Sequence, residues 1–232
     1  MQVWLDVFGV RAKARPRALV YMATQRRPVR RIPGVLFAKL LGTGSGESFT
    51  MLDADLGHWA LLTVIDDAAV RQTCLQSPQF LRWHEIAVEH AQIGMRPIAS
   101  HGLWSGRAPF GTARVKPDPN QCVASITRAR LRPRMLTKFW RSVPPVVSDL
   151  RTDPAVLFTL GIGEAPVGLQ GTFSLWRSGR DMSAFAYQRP AHQRAVEQTR
   201  ENDWYSEELF ARFSVESVRG TYRGESIASE CR

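Results

Sequence analysis

The sequence predicts a mixed α+β fold made of two tandem ferredoxin-like (βαββαβ) repeats. Along the 232 residues, the predicted elements follow the order strand, helix, strand, strand, helices, strand twice. The run Val35–Phe37 matches Val156–Phe158, since both read Val-Leu-Phe, and Ser77–Pro78 matches Arg189–Pro190. Two such repeats would place two antiparallel sheets face to face around a barrel-like core, with the helices outside.

Each predicted element rests on its hydrophobic pattern and on its flanking turn residues. In the first half, the pattern predicts strands at Val3 to Phe8, Gly34 to Leu41, Trp59 to Ile65 and Met95 to Trp104, and helices at Arg15 to Arg27, ending near Pro28, at Ala68 to Leu75 and after Pro78. In the second half it predicts strands at Val123 to Thr127, Val156 to Gly163, Thr172 to Trp176 and Phe210 to Val218, and helices at Pro133 to Val143 and in two segments of Ser178 to Tyr205.

A proline-rich stretch from Arg107 to Pro119 is the natural boundary between the two halves. We therefore assign residues 1–106 to the first repeat, 107–120 to a linker, 121–222 to the second repeat and 223–232 to a C-terminal tail.

Composition indicates an ordinary globular protein, with 44% hydrophobic and 22% charged residues. No apolar run reaches 18 residues, so no transmembrane helix is expected. The N-terminus is typical of a strand and not of a signal peptide. Cys74, Cys122 and Cys231 are odd in number and far apart, which predicts free thiols, the first two of them buried, in a reducing cytoplasm.

The net charge of +10 favours acidic partners, and much of it lies between Arg11 and Arg31, on both sides of the apolar segment Ala18–Met22. Such a basic amphipathic segment predicts peripheral contact with an anionic membrane surface. A solvated helix whose arginines lie over the core explains the same pattern equally well. Nucleic acid is not an expected partner, because no helix-turn-helix, zinc-finger or RNP signature is present.

One histidine lies on a predicted inward helix face. Ser178 and Asp181 form a helix-start signature, and Pro190 suits the first turn of a second helix. His192 and Val196 then share one face of that helix. An inward imidazole is either a hydrogen-bonded core residue or a metal ligand.

The internal repeat gives the ligand role the same weight as the packing role. Aligning Pro78 with Pro190 gives an offset of 190 − 78 = 112 residues, which pairs His192 with Phe80. If the position only had to pack, phenylalanine would serve in the second half as it does in the first. His84, one turn beyond Phe80, is the rival ligand.

Several stretches together carry a resemblance that covers about Val3 to Tyr222. They are PGVLFAKLLGTGSGESF (33–49), LWSGRAPF (103–110), LTKFWRSVPPV (136–146), LFTLGIGEAPVGLQGTFSLW (157–176), FAYQRPAHQRAV (185–196) and WYSEELFARF (204–213). On these the chain resembles the spheroidene monooxygenase family of carotenoid biosynthesis, within the dimeric α+β barrel superfamily. The resemblance implies haem b and an O₂-dependent oxygenation of a carotenoid methylene to an alcohol and then a ketone. His192 matches the proximal histidine of related haem-binding barrels.

Under this resemblance, haem requires an axial ligand, apolar walls and cations for its propionates. His192 is the expected iron ligand. The expected apolar walls are Phe158, Leu160, Phe173, Leu175, Phe185 and Val196, and the expected propionate partners are Arg107, Arg189 and Arg194. Lys39, Glu164 and Arg107 are the expected catalytic residues. Each of these residues also has a plain interpretation as core or surface.

The resemblance implies a haem-dependent monooxygenase that acts on an apolar substrate, and the composition predicts that it is cytoplasmic and peripheral to the inner membrane. An electron donor such as ferredoxin and a homodimer are the expected partners. Related haem barrels include peroxidases, haem-degrading enzymes and aldoxime dehydratases, so a haem enzyme for a small nitrogenous or aromatic substrate is the first alternative. A haem carrier or sensor and a haem-free barrel, either a cofactorless oxygenase or a binding module, are the others.

Overall fold

The computed structural model describes residues 1–45, 53–112, 114–116, 118–132, 150, 152–164, 171–188, 205–227 and 231. The strands are β1 (Gln2–Val10), β2 (Val35–Gly44), β3 (Ala54–Ile65), β4 (Ala87–Gly102), β5 (Val123–Leu131), β6 (Val156–Gly163), β7 (Gly171–Trp176), β8 (Tyr205–Tyr222) and β9 (Glu225–Ser226). The helices are α1 (Arg15–Thr24), α2 (Arg26–Arg30), α3 (Ala68–Gln76), α4 (Pro78–Ile86) and α5 (Gly179–Gln188), and a short 3-10 helix covers Ala12–Ala14.

The strands form one antiparallel sheet that closes on itself. Its order is β4-β1-β3-β2-β6-β7-β5-β8, and β8 pairs again with β4. Thus the first four strands lie in the order β4-β1-β3-β2, and the last four have the same order read backwards from β8. Two seams join the halves. The β2–β6 seam has three residue pairs, Gly42 to Gly44 against Gly161 to Gly163, whereas the β4–β8 seam has eleven.

Side-chain alternation along the strands separates the apolar residues into an interior and two outer layers. The largest cluster, which includes Leu5, Leu62 and Phe213, fills the closed interior. We call strands β1 to β4 the first sheet and strands β5 to β8 the second sheet of the closed structure. A second cluster lies between the first sheet and α1 to α4. A smaller one, built on Val123 and Trp176, lies between the second sheet and α5. The mixed α+β prediction is confirmed.

The predicted start of α5 is confirmed by its hydrogen bonds. Ser178 Oγ donates to Asp181 Oδ2 at 2.6 Å, and the Asp181 N–H donates to Ser178 Oγ at 3.1 Å. The Ser178 hydroxyl thereby satisfies one N–H that the first helical turn leaves without an intrahelical partner, and the Asp181 carboxylate holds that hydroxyl in place. In the first half, Asp67 performs the same task for α3 by accepting a hydrogen bond from the Ala69 N–H at 2.9 Å.

Several predicted boundaries are wrong: β3 begins at Ala54 instead of Trp59, and β5 ends at Leu131 instead of Thr127. Pro28 does not end the first helix, which ends at Thr24; it lies inside α2, in a first turn where its missing N–H has no partner to lose. Strand β4 begins at Ala87 instead of Met95, because it continues directly from the C-cap of α4. Strand β8 begins at Tyr205 instead of Phe210, because the residues from Tyr205 to Glu208 pair with β5.

The expectation of three free cysteines is also wrong. Cys122, beside the start of β5, is joined by a disulfide to Cys231, although 109 residues separate them. Their Cα atoms lie 5.7 Å apart, within the range that a disulfide spans. Cys74 is free and buried, as predicted. The cysteine argument for a reducing compartment therefore does not hold for this structure.

Two predicted helical segments, Pro133 to Val143 and the second segment of Ser178 to Tyr205, lie outside the described residues. Among the residues that are described, no helix is long and apolar enough to cross a membrane.

Candidate functional site

A buried ion pair links the two halves at one end of the closed interior. Lys39 on β2 is 3% exposed, and its Nζ lies 2.5 Å from Glu164 Oε2, just beyond β6. The same Nζ donates to Ser105 Oγ at 2.6 Å, in the turn that follows β4. The structure therefore brings together two of the predicted catalytic residues, one from each half.

Three further residues complete this group. Arg128, 1% exposed, donates to Glu164 Oε1 at 3.1 Å and to Glu207. Trp104 Nε1 donates to the same Glu164 oxygen at 2.8 Å. Glu207 also accepts from two backbone N–H groups of the turn around Ser105, at 3.0 and 2.7 Å. We call Lys39, Trp104, Ser105, Arg128, Glu164 and Glu207 the interior charged cluster.

The electrostatics of the interior charged cluster favour ionised carboxylates. Burial raises the pKa of Glu164, but hydrogen bonds from Lys39 and Trp104 outweigh it and leave that pKa below its usual value. The Glu207 pKa is likewise lowered overall, chiefly by backbone N–H donors that oppose its burial. Burial lowers the pKa of Lys39, although Glu164 opposes the shift. Two cations thus face two carboxylates in a balanced group.

The other predicted catalytic residue, Arg107, lies outside this cluster. The backbone of Arg107 pairs with that of Trp104, through N–H···O bonds of 2.8 and 3.3 Å. This tight turn leaves the Arg107 side chain exposed while Trp104 is buried.

The structure divides the predicted apolar walls between the two faces of the second sheet. Phe158, Leu160, Phe173 and Leu175 lie in the interior cluster, packed among other core residues. Phe185 lies on the outer side, with its ring centre 5.1 Å from that of Trp176. The remaining predicted residues, Arg189, His192, Arg194 and Val196, lie outside the described residues.

The outer face of the second sheet is rich in hydroxyl groups. Ala124 and Ile126 point into the interior, so the alternate residues of β5, Ser125 and Thr127, lie on the outer face. By the same alternation, Thr159, Thr172 and Ser174 also lie on the outer face, and we call these five residues the hydroxyl face. Val123 and Trp176, on the same side of the sheet, pack against α5. Ser125 Oγ lies 2.8 Å from Ser174 Oγ. Sequence analysis missed this face, because such residues are also typical of solvent-facing strands.

The pairing register assigns counterparts in the first sheet to the residues of the hydroxyl face. Both sheets contain a register shift at the shared Val-Leu-Phe run, Val35–Phe37 and Val156–Phe158. Counting strand pairs from Phe37 and Phe158 matches Ser125 with Trp4 and Thr127 with Asp6. By the same count Thr172 corresponds to Leu61.

In the first sheet these positions are filled. Asp6 is fully buried and accepts two hydrogen bonds from Arg71 of α3, at 2.7 and 2.6 Å. The Arg71 guanidinium lies 4.2 Å from the centre of the Trp4 ring. Burial raises the Asp6 pKa, but Arg71 and His90 lower it overall, so the carboxylate stays ionised.

In the second sheet the same place holds smaller, uncharged groups. The buried positions of α5, Met182 and Phe185, stand four and seven residues after their N-cap, as Arg71 and Cys74 do in α3. Methionine therefore replaces Arg71, threonine replaces Asp6 and serine replaces the Trp4 indole. Thr127 is exposed where its counterpart Asp6 is fully buried. Nearer to α5, Ser174 is buried and accepts a hydrogen bond from Trp176 Nε1 at 2.9 Å, so the accessible part of the hydroxyl face is its Thr127 end.

The rival ligand His84 lies on the first half and is exposed. Its ring centre is 4.7 Å from that of His90, whose Nε2 bonds Asp6 at 2.9 Å. Within the described ranges, no three histidine, cysteine or acidic side chains are grouped as metal ligands.

Another histidine joins the C-terminal end of β8 to the first half. His58 Nδ1 lies 2.7 Å from Asp55 Oδ2, and its Nε2 lies 2.8 Å from Glu89 Oε1. Arg223 also donates to Asp55, at 3.0 Å. Burial lowers the His58 pKa, but the two carboxylates outweigh it and raise that pKa overall.

Comparison with known proteins decides the family. No family model matches the chain. Spheroidene monooxygenase of Rhodobacter capsulatus is 34% identical over 212 residues, which cover 90% of this chain and 88% of the relative. This chain belongs to the spheroidene monooxygenase family. The spheroidene monooxygenase of Rubrivivax gelatinosus is 33% identical over 193 residues, covering 83% of this chain and 73% of the relative. Membership supports an oxidoreductase of the monooxygenase type.

A solved structure supports the fold independently. The crystal structure of aldoxime dehydratase has a TM-score of 0.56 over 92% of this chain and 80% of that chain, at 12% identity. At that identity the likeness concerns the fold alone.

Proposed function

We propose that this member of the spheroidene monooxygenase family is a haem-dependent monooxygenase that inserts oxygen from O₂ into an apolar, carotenoid-like substrate. The relatives named after spheroidene support the substrate class. We also propose that the two halves are tandem ferredoxin-like repeats of the dimeric α+β barrel type. The matching strand orders and the shared register shift support that origin.

The hydroxyl face fits a haem better than the interior does. The interior walls Phe158, Leu160 and Phe173 are packed against each other and against core neighbours. At the described positions of the second half, in contrast, Ser125, Thr127 and Met182 replace the Trp4 ring and the Asp6–Arg71 ion pair. The exposure of Thr127, where Asp6 is fully buried, is the observation that carries the proposal. Haem would lie over the Thr127 end of the hydroxyl face, next to the packed apolar residues Trp176, Met182 and Phe185.

His192 is the proposed iron ligand, because the 112-residue offset pairs it with Phe80. Phe80 is fully buried and contacts the first sheet through Phe8, with ring centres 6.5 Å apart. The residue at the corresponding position in the second half is therefore expected to face the hydroxyl face. A histidine there supplies the axial ligand that haem requires.

The chain's own residues would bind and orient the reactants. Haem, when bound, would supply the activation of O₂. Thr127 and Thr172 would present hydroxyl groups, able to donate or accept hydrogen bonds, toward a ligand on this face. Phe210, 40% exposed and paired with Thr127, would offer apolar contact to the substrate. Arg212, beside Ser125 in the register, Arg107 and Arg189 are the proposed partners of the propionates.

Lys39 and Glu164 remain proposed catalytic residues, but their position favours another role. Their cluster lies on the interior side of the second sheet, opposite to the hydroxyl face. Its bonds connect β2 of the first half with β5, the end of β6 and β8 of the second. We infer that these bonds hold the halves together at the short seam. Reduction by a ferredoxin-like donor and homodimer formation complete the proposal.

The visible spectrum of the protein tests the cofactor. Purified protein reconstituted with hemin should show a Soret band that His192→Ala shifts or removes. His84→Ala is the matched control and should leave the band unchanged. A preparation that stays colourless with hemin, or a band lost only in His84→Ala, contradicts the proposal. Reduced, reconstituted protein should then convert spheroidene with O₂, whereas a band shifted by an oxime and not by carotenoid favours an aldoxime dehydratase-like activity.

A second experiment tests the location. Ser125→Trp places the first-half residue on the hydroxyl face and should abolish haem uptake while the far-ultraviolet circular dichroism spectrum is retained. Trp4→Ser, the reverse change in the first half, should lower stability but leave haem uptake intact. Unchanged haem uptake in Ser125→Trp places the cofactor elsewhere.

A further inference from the structure

The segment from Arg11 to Arg31 carries eight arginine or lysine residues and no aspartate or glutamate. It therefore contributes +8 locally to a chain whose total net charge is +10. In the fold it forms the short 3-10 helix, α1 and α2, which lie against the outer side of the first sheet.

Only part of the apolar run within this segment is buried. Ala18, Tyr21 and Met22 pack into the core under α1. Leu19 and Val20 point outward, 36% and 56% exposed. Exposed aliphatic side chains between cations are typical of helices that lie in a membrane interface.

Seven of the eight cations are exposed, and Arg26 is half-buried. Arg17 pairs with Glu85, and Arg26 and Arg30 donate to backbone carbonyls. The exposed ones that make neither an ion pair nor a side-chain hydrogen bond within the described part of the chain are Arg11, Lys13, Arg15, Arg27 and Arg31. They lie before and after the outward pair Leu19 and Val20 in sequence.

The neighbouring helix α4 adds apolar surface. Arg17 meets Glu85 at 2.8 Å and Tyr21 meets Trp83 at 5.6 Å between ring centres, so α1 and α4 run antiparallel side by side. Leu81, 54% exposed, lies one turn before Glu85 on α4.

We propose that this surface docks on an anionic lipid membrane. We call it the basic face and define it by Leu19, Val20 and Leu81 with Arg11, Lys13, Arg15, Arg27 and Arg31. The cations match acidic headgroups, and the aliphatic residues match the acyl boundary. Nucleic acid would use the cations but would leave the aliphatic side chains without a role. This inference is independent of the proposed haem chemistry.

Vesicle flotation tests the charge contribution. The full chain should float with phosphatidylcholine vesicles that contain phosphatidylglycerol, but not with phosphatidylcholine alone. Lys13→Glu with Arg27→Glu should weaken binding at least about 25-fold, since each cation near the surface contributes roughly fivefold. The control, Lys116→Glu with Arg219→Glu, makes the same change of net charge at exposed residues elsewhere. Equal weakening in the control overturns the proposal.

Fluorescence tests the insertion of α1. Val20→Cys labelled with an environment-sensitive nitrobenzoxadiazole dye should brighten and shift to the blue on anionic vesicles. The same label on Thr112→Cys, an exposed residue of the linker, should not respond. A silent label at position 20, or binding to a short DNA duplex without binding to vesicles, overturns the proposal.

Discussion

Replacing Glu164 by glutamine removes the carboxylate that two buried cations share. Lys39 and Arg128 are 3% and 1% exposed, and only Arg128 keeps a second carboxylate, Glu207. Removing one partner of a buried ion pair costs about 3–5 kcal/mol. Because Glu164 is itself 24% exposed and glutamine still accepts hydrogen bonds, we expect Glu164→Gln to lower the unfolding free energy by about 3 kcal/mol.

Removing the lysine of this pair should lower the unfolding free energy by less. Lys39→Met leaves Glu164 with hydrogen bonds from Trp104 and Arg128, so we expect a loss of about 1–2 kcal/mol. The double variant should lose less than the sum of the two, by about 1–2 kcal/mol, because the residues contact each other directly. Urea unfolding at neutral pH measures all three variants. Losses that add within about 0.5 kcal/mol would refute the proposed role at the seam.

The pH dependence gives a second signature. In Glu164→Gln, burial lowers the Lys39 pKa and the opposing carboxylate is gone. The folded state then holds its lysine proton less tightly than the unfolded state does. Stability should therefore rise with pH between the lowered folded pKa and the unfolded value of about 10.4. If the unfolding free energy of Glu164→Gln is constant across that pH window while that of Lys39→Met rises, the pH dependence does not come from Lys39.

Three other predictions concern stability and thiol chemistry. Burial lowers the His58 pKa, but its two carboxylate partners outweigh burial and raise that pKa overall. The stabilisation of the folded state by protonated His58 is therefore complete below about pH 6.5 and is lost as pH rises through the folded pKa. The difference in unfolding free energy between the wild type and His58→Asn should shrink across that range. Cys231→Ser should lower the unfolding free energy of the oxidised protein by about 2–5 kcal/mol in urea, because the disulfide with Cys122 links residues 109 positions apart. As the control, reduction of the wild type should cause an equal loss. Equal stability of the oxidised wild type and Cys231→Ser would refute the pairing. Burial raises the Cys74 pKa to about 11, so this thiol should resist a disulfide reagent until the protein unfolds, and fast labelling would contradict its burial.

Local sequence signals predicted most of the elements correctly. The starts of β1, β2 and α3, and the capping pair Ser178 and Asp181, depend on neighbouring residues and could be inferred from them. The boundary errors came from tertiary pairing. For example, β8 is a strand from Tyr205 because β5 pairs with these first residues, and β4 pairs with β8 from Leu209 onward.

The functional residues that sequence analysis missed depend on partners far away in the chain. Arg128 follows Ala124 and Ile126 on the inward side of β5, and a charged residue in that apolar alternation was a readable signal. Its partner Glu207 is 79 residues away and could not be named. The hydroxyl face could be recognised only by comparing its residues with their first-half counterparts, such as Trp4. Those counterparts are known only from the strand register of the structure.

The two seams of the closed sheet have very different lengths, three residue pairs against eleven. Opening fluctuations require the least disruption where the fewest backbone hydrogen bonds must break. The closed sheet should therefore open first between Gly42–Gly44 of β2 and strand β6, with the longer β4–β8 junction acting as the hinge. Because Lys39 and Glu164 lie on opposite sides of the β2–β6 seam, their contact determines how often the enclosed core is exposed to solvent. Deuterium uptake at Thr43, faster in Glu164→Gln than in the parent, would report that breathing.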